Sequence, residues 1–157
     1  MRKFNEKRSI MKYFILLLIV LSCGKQDRTG LLSKLEGDWE TKAWDGKLIE
    51  NWRLSEDGWP WQHTYYVENN DTSYSSQSKM EYLAGELILV TVIKNNPSYI
   101  FKASLITEDS IIFENSKFRN PNRVKYEFID RNKLKRTIKG IENDSIVQTI
   151  FNFKRVE

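Results

Sequence analysis

Residues 46–68 read Gly46-Lys-Leu-Ile-Glu-Asn-Trp-Arg-Leu-Ser-Glu-Asp-Gly-Trp-Pro-Trp-Gln-His-Thr-Tyr-Tyr-Val-Glu68, and their period decides the fold. Leu48, Glu50, Trp52 and Leu54 recur at every second position, and so do Trp61, His63, Tyr65 and Val67. Successive side chains of a strand point to opposite faces, so this alternation predicts two half-buried β-strands. Asp57-Gly58 lies between them and supplies the turn. On this reading the two odd-spaced and even-spaced sets each face an interior.

The same punctuation continues in both directions. Asp45-Gly46, Asn69-Asn70-Asp71, Ala84-Gly85, Asn95-Asn96-Pro97, Glu108-Asp109, Asp130-Arg131-Asn132 and Asn143-Asp144 mark further turns. Strands are expected at 38–44, 47–55, 61–68, 72–82, 86–94, 98–106, 110–115, 123–130, 133–140 and 146–156. The predicted class is all-β, a single up-and-down antiparallel β-barrel of about 8–10 strands; closure leaves no exposed edge. A two-sheet sandwich is the alternative. Gly37-Asp38-Trp39 opens the first strand as G-x-W, and Arg155 lies in phase with Val147, Thr149, Phe151 and Phe153 in the last. That combination resembles lipocalin-like barrels, which implies that Trp39 plugs one end and Arg155 covers it through a cation–π contact.

Upstream of the domain, Arg2, Lys3, Lys7, Arg8 and Lys12 precede the apolar run Tyr13–Leu21, followed by Ser22 and Cys23. Nine apolar residues fall short of the roughly 20 that a spanning helix needs. A basic start and a short apolar run read as a secretory signal. The arrangement resembles a bacterial lipoprotein signal, which implies cleavage before Cys23 and acylation of its thiol, palmitate included. The expected organisation is a signal peptide over 1–22, the lipidated Cys23 and a tether over 23–35, and the barrel over 36–157. The expected location is the cell envelope, at the outer membrane, with the protein a monomer held there by its lipid.

Charge and cysteine content narrow the function classes. The chain carries 25 Lys and Arg against 21 Asp and Glu, and residues 1–22 hold five of the former and one of the latter. The part from Cys23 onward therefore has 20 of each and is neutral, which removes the main electrostatic reason for nucleic-acid binding. A basic excess persists from Lys117 to Lys139, either a solvated strand face or a surface for anionic headgroups or glycans. Cys23 is the only cysteine, so no disulfide braces the domain, and His63 is the only histidine, so no side-chain metal site or cofactor is expected.

Phe113-Glu114-Asn115, Pro121, Arg123-Val124-x-Tyr126, Leu134-x-x-x-Ile138-x-Gly140 and Phe153-x-Arg155-Val156 together resemble an uncharacterised family of small lipocalin-like domains. Its members carry F-E-N-P-x-H-D-F-P-x-R-I-x-Y in this region. The resemblance implies the barrel and no established activity. The family's H-D-F-P is Phe118-Arg119-Asn120-Pro121 here, and the Pro after F-E-N is Ser116, so a role for that His-Asp pair does not carry over.

Three ionisable groups stand out on faces that otherwise read as apolar: Glu50 beside Trp52, His63 between Trp61 and Tyr65, and Arg136 between Leu134 and Ile138. A buried Arg needs a carboxylate, and Glu50 is the expected partner of Arg136. With Tyr126, these residues compose a candidate ligand site: Glu50, Trp52, Trp61, His63, Tyr65, Tyr126 and Arg136. Trp59-Pro60-Trp61 reads either as turn packing or as a stacking platform. No catalytic constellation is evident, so an enzyme is not expected. The two functional expectations are a carrier of a small apolar or amphiphilic ligand, and an envelope interaction module with a filled barrel that docks protein or glycan.

Overall fold

Each alternating segment becomes a strand, within two residues of its expected bounds. The computed structural model describes residues 28–156; the signal segment 1–22 and Cys23 lie outside the described residues. A short helix α1 (Arg28–Ser33) leads into β1 (Gly37–Ala43), β2 (Gly46–Leu54), β3 (Pro60–Glu68), β4 (Asp71–Leu83) and β5 (Glu86–Ile93). There follow β6 (Tyr99–Ile106), β7 (Ser110–Glu114), β8 (Arg123–Asp130), β9 (Lys133–Glu142) and β10 (Ser145–Val156). Neighbours in sequence pair antiparallel throughout, and β10 returns to β1, so the sheet is a closed barrel and not a sandwich.

Turn chemistry explains the up-and-down order. Asn69-Asn70, Ala84-Gly85 and Asn143-Asp144 all have positive φ at both positions, the backbone of tight hairpins whose twist matches the strands. Asn, Asp and Gly adopt this region readily; Ala84, at φ 51°, does so against the steric preference of its Cβ.

One end of the barrel is covered by α1 and the residues that follow it. Leu31, Leu32 and Leu35 are buried among Trp39, Trp52, Phe128, Leu134 and Phe153, so the packed domain begins with α1, ahead of position 36. The Trp39 indole donates to the Leu35 carbonyl at 2.7 Å. Arg155, the register partner of Trp39 across β1 and β10, lies with its guanidinium 4.2 Å from the Trp39 ring centroid. Its nitrogens donate to the carbonyls of Lys34 (3.0 Å), Arg131 (3.1 Å) and Glu36. Gly37 makes this possible. It has φ 130°, and a Cβ there would collide with the Arg155 guanidinium, which gives the first residue of G-x-W its physical reason.

Candidate ligand site inside the barrel

The interior is crossed by one ion pair. Glu50 on β2 and Arg136 on β9 both point inward, and Arg136 Nη1 donates to Glu50 Oε1. The second Glu50 oxygen accepts from Trp52 Nε1 at 3.0 Å. The Arg136 guanidinium also lies 5.0 Å and 5.3 Å from the ring centroids of Phe151 and Phe153, a cation–π seat between aromatic faces. Tyr126 on β8, the register partner of Arg136, meets Trp52 edge-on, 5.8 Å between centroids. Burial pushes the Glu50 carboxyl above its ordinary range, with Arg136 and Trp52 pulling it partly back. Burial alone would pull Arg136 down; the Glu50 charge, together with Tyr126 and Tyr74, more than offsets it and keeps the guanidinium protonated. The Tyr126 hydroxyl is pushed up, first by burial and then by Glu50.

On the side of the pair toward the other end of the barrel, the interior is not filled. A cavity of about 140 Å³ has one wall of Gln62, Thr64, Ser76, Ser78 and Thr91, contributed by β3, β4 and β5. The rest of the lining includes Leu89, next to Thr91 on the same face of β5, and Phe101, Val124 and Ile138 on β6, β8 and β9, with Tyr126 and Arg136. Ser78 and Thr91 share a hydrogen bond of 2.9 Å. Two buried nitrogens at this cavity, Gln62 Nε2 and Arg136 Nε, have no hydrogen-bond partner.

The loop 115–122 supplies Pro121 to the cavity wall. It is fixed to β9 by Asn122 N to Lys139 O (2.9 Å) and Ile141 N to Arg119 O (2.7 Å). Gly140 lets it approach, since a Cβ there would stand 2.7 Å from Asn120 Cα. Phe118 packs against Tyr99 and Phe101 at 5.3 Å and 5.7 Å between centroids.

The expected site is brought together only in part. Glu50, Trp52, Tyr126 and Arg136 converge. Trp61, His63 and Tyr65 face outward instead, and the expectation that they line the interior is corrected. Trp52 pairs with Gln62 and Glu50 with Thr64, and directly opposed residues of an antiparallel ladder share a face. The interior set of β3 is therefore Gln62, Thr64 and Tyr66. His63 Nε2 sits 2.9 Å from Ser75 Oγ, the Tyr65 hydroxyl donates to Asn51, and Trp61 is 40% exposed. Trp59 turns to Tyr82 (5.3 Å between centroids) while Trp61 turns to solvent, so the two rings form no shared platform. Gln62, Thr64, Ser76, Ser78 and Thr91 were missed because polar residues read as a solvent face. The only available signal was the ladder register itself.

Of the basic excess between Lys117 and Lys139, Arg136 is interior. Arg123, Lys125, Lys135 and Lys139 line a groove on the outer face of β8–β10, where Glu127 already pairs with Lys125 (3.0 Å) and Lys135 (3.7 Å). Among the described residues, no group of three or more His, Cys, Asp or Glu side chains is placed to hold a metal ion. No family model matches the chain, and no curated protein matches it.

Proposed function

We propose that the protein is a lipid-anchored lipoprotein of the bacterial cell envelope whose barrel binds a small amphiphilic molecule. The observation that carries the binding reading is the unfilled interior: about 140 Å³ lined by both polar and apolar side chains. Binding sites are commonly concave, mainly apolar and equipped with a few placed polar groups. Drug-sized ligands occupy roughly 300–1,000 Å³, so this cavity suits a smaller one, and a long acyl chain is outside its capacity. The lipid anchor rests on the basic, apolar and Cys23 sequence, and kinship with the uncharacterised lipocalin-like family rests on the motifs from Phe113 to Val156. Binding without catalysis is favoured because Glu50 and Arg136 hold each other in place and the Tyr126 hydroxyl is pushed away from neutral pH. A docking role has one observation of its own, the basic groove on the outer face of β8–β10.

Two measurements test the reading. Mass spectrometry of small molecules released from the purified protein should find a stoichiometric compound of low mass. Cys23→Ser should move the protein from the membrane fraction to the soluble fraction, because each buried acyl CH₂ contributes about 0.8 kcal/mol to anchoring. A mutant that stays membrane-bound through high-salt and carbonate washes would refute the anchor.

A further inference from the structure

The chemistry lining the cavity points to the kind of molecule it takes, an inference that rests on the ligand-binding reading above. Gln62 and Arg136 are 1% and 8% exposed, and each presents an unspent N–H donor, Nε2 and Nε. What both lack is an acceptor. Buried donors are seldom left unpaired, because desolvating them without a partner is costly.

The missing acceptor is uncharged. Arg136 is the only ionised side chain lining the cavity among the described residues, and Glu50 already neutralises it. An entering carboxylate or phosphate would place an excess negative charge beside Glu50 and Gln62, which are shielded from solvent, and that is unfavourable. A carbonyl oxygen meets the donors without that penalty. Size sets the rest, since an apolar cavity of about 150 Å³ takes up benzene. We propose that the cavity binds a compact, uncharged carbonyl compound of about that size. Its oxygen is turned to the Gln62 and Arg136 donors, and its hydrocarbon part lies against Leu89, Phe101, Val124 and Ile138.

Three isosteric probes separate the alternatives: acetophenone, ethylbenzene (the carbonyl replaced by CH₂) and benzoate (the methyl replaced by O⁻). Each is titrated into the full chain at pH 7 by calorimetry. Acetophenone is expected to bind at least about tenfold more tightly than either of the others, the loss of one or two hydrogen bonds to buried donors being worth that factor. Gln62→Leu should weaken acetophenone about three- to tenfold and leave ethylbenzene unchanged or tighter; Gln62→Met serves if the branched side chain does not fit. Equal affinities for acetophenone and ethylbenzene would overturn the carbonyl assignment while leaving a ligand-binding barrel. Tightest binding of benzoate would overturn the uncharged head. If none of the three binds and the purified protein releases no small molecule, the ligand-binding reading fails together with this one.

Discussion

Replacing Arg136 by methionine keeps an unbranched stem between Phe151 and Phe153 and deletes the charge that Glu50 faces. Removing one member of a buried ion pair costs roughly 3–5 kcal/mol, mostly because the other charge is left in a medium that cannot solvate it. The lost cation–π contacts add about 0.5–2 kcal/mol, and the sulfur–aromatic contacts of Met return about 0.3–1.5 kcal/mol. The net expectation at pH 8 is about 3–5 kcal/mol. Adding Glu50→Gln removes the stranded charge and keeps an acceptor for Trp52 Nε1, so the double variant should recover all but about 1–2 kcal/mol, the cost of an amide N–H without a partner. The pH dependence follows from the direction of the Glu50 shift. The folded protein holds a proton on Glu50 more tightly than the unfolded chain does. This group therefore favours the fold below the ordinary carboxylate range, and that contribution is lost as pH rises through the raised value. Without Arg136 to pull it back, Glu50 is raised further, so the penalty of Arg136→Met should shrink between pH 8 and pH 5. Urea unfolding of the wild type, both single variants and the double variant, followed by tryptophan fluorescence at the two pH values, gives the cycle. A cost below about 1 kcal/mol for Arg136→Met at pH 8, or a double variant no more stable than Arg136→Met, would refute the reasoning.

Two further outcomes concern the backbone. Gly37→Ala should cost about 3 kcal/mol, because the added Cβ displaces Arg155 from Trp39 and from its three carbonyl acceptors while forcing a strained φ; chemical denaturation measures it, and a loss under about 1 kcal/mol would show that the guanidinium relocates freely. Ala84→Gly should stabilise by roughly 0.5 kcal/mol, since relief of left-handed strain of about 1–2 kcal/mol slightly exceeds the added entropy of the unfolded chain. A lower melting temperature for this variant would contradict that balance.

Strand positions were readable from alternation and turn pairs, and the Glu50–Arg136 pair was readable because each is a lone charge on a stripe of apolar residues. The facing of β3 was not. Trp61 and Tyr65 look like core residues, yet the ladder pairs Leu54 with Pro60 and so places Gln62 and Thr64 on the Trp52 side. A five-residue connection, Ser55 to Trp59, fixes that register through hydrogen bonds such as Ser55 N to Trp59 O (2.9 Å), which its letters do not announce. Hydrophobic period also fails wherever an interior holds a cavity with polar walls, because inside and outside then look alike. Ser76 and Ser78 on β4 illustrate this: they are buried, but nothing in their composition distinguishes them from Gln77 and Lys79 between and beside them.

The joint between first and last strands is narrow. β1 meets β10 only from Asp38 to Glu40 against Lys154 to Val156, whereas β9 and β10 are paired from Lys133 to Glu142. That short seam joins positions more than a hundred residues apart in the chain, and Arg155 is its central rivet. Nine hairpins can zip from neighbour to neighbour at low loop-closure cost, but the ring stays open until the tenth strand arrives. Until then β1 offers an unpaired strand edge to any other chain in the same condition. The seam is thus where the protein is most exposed to swapping its final strand with a second copy.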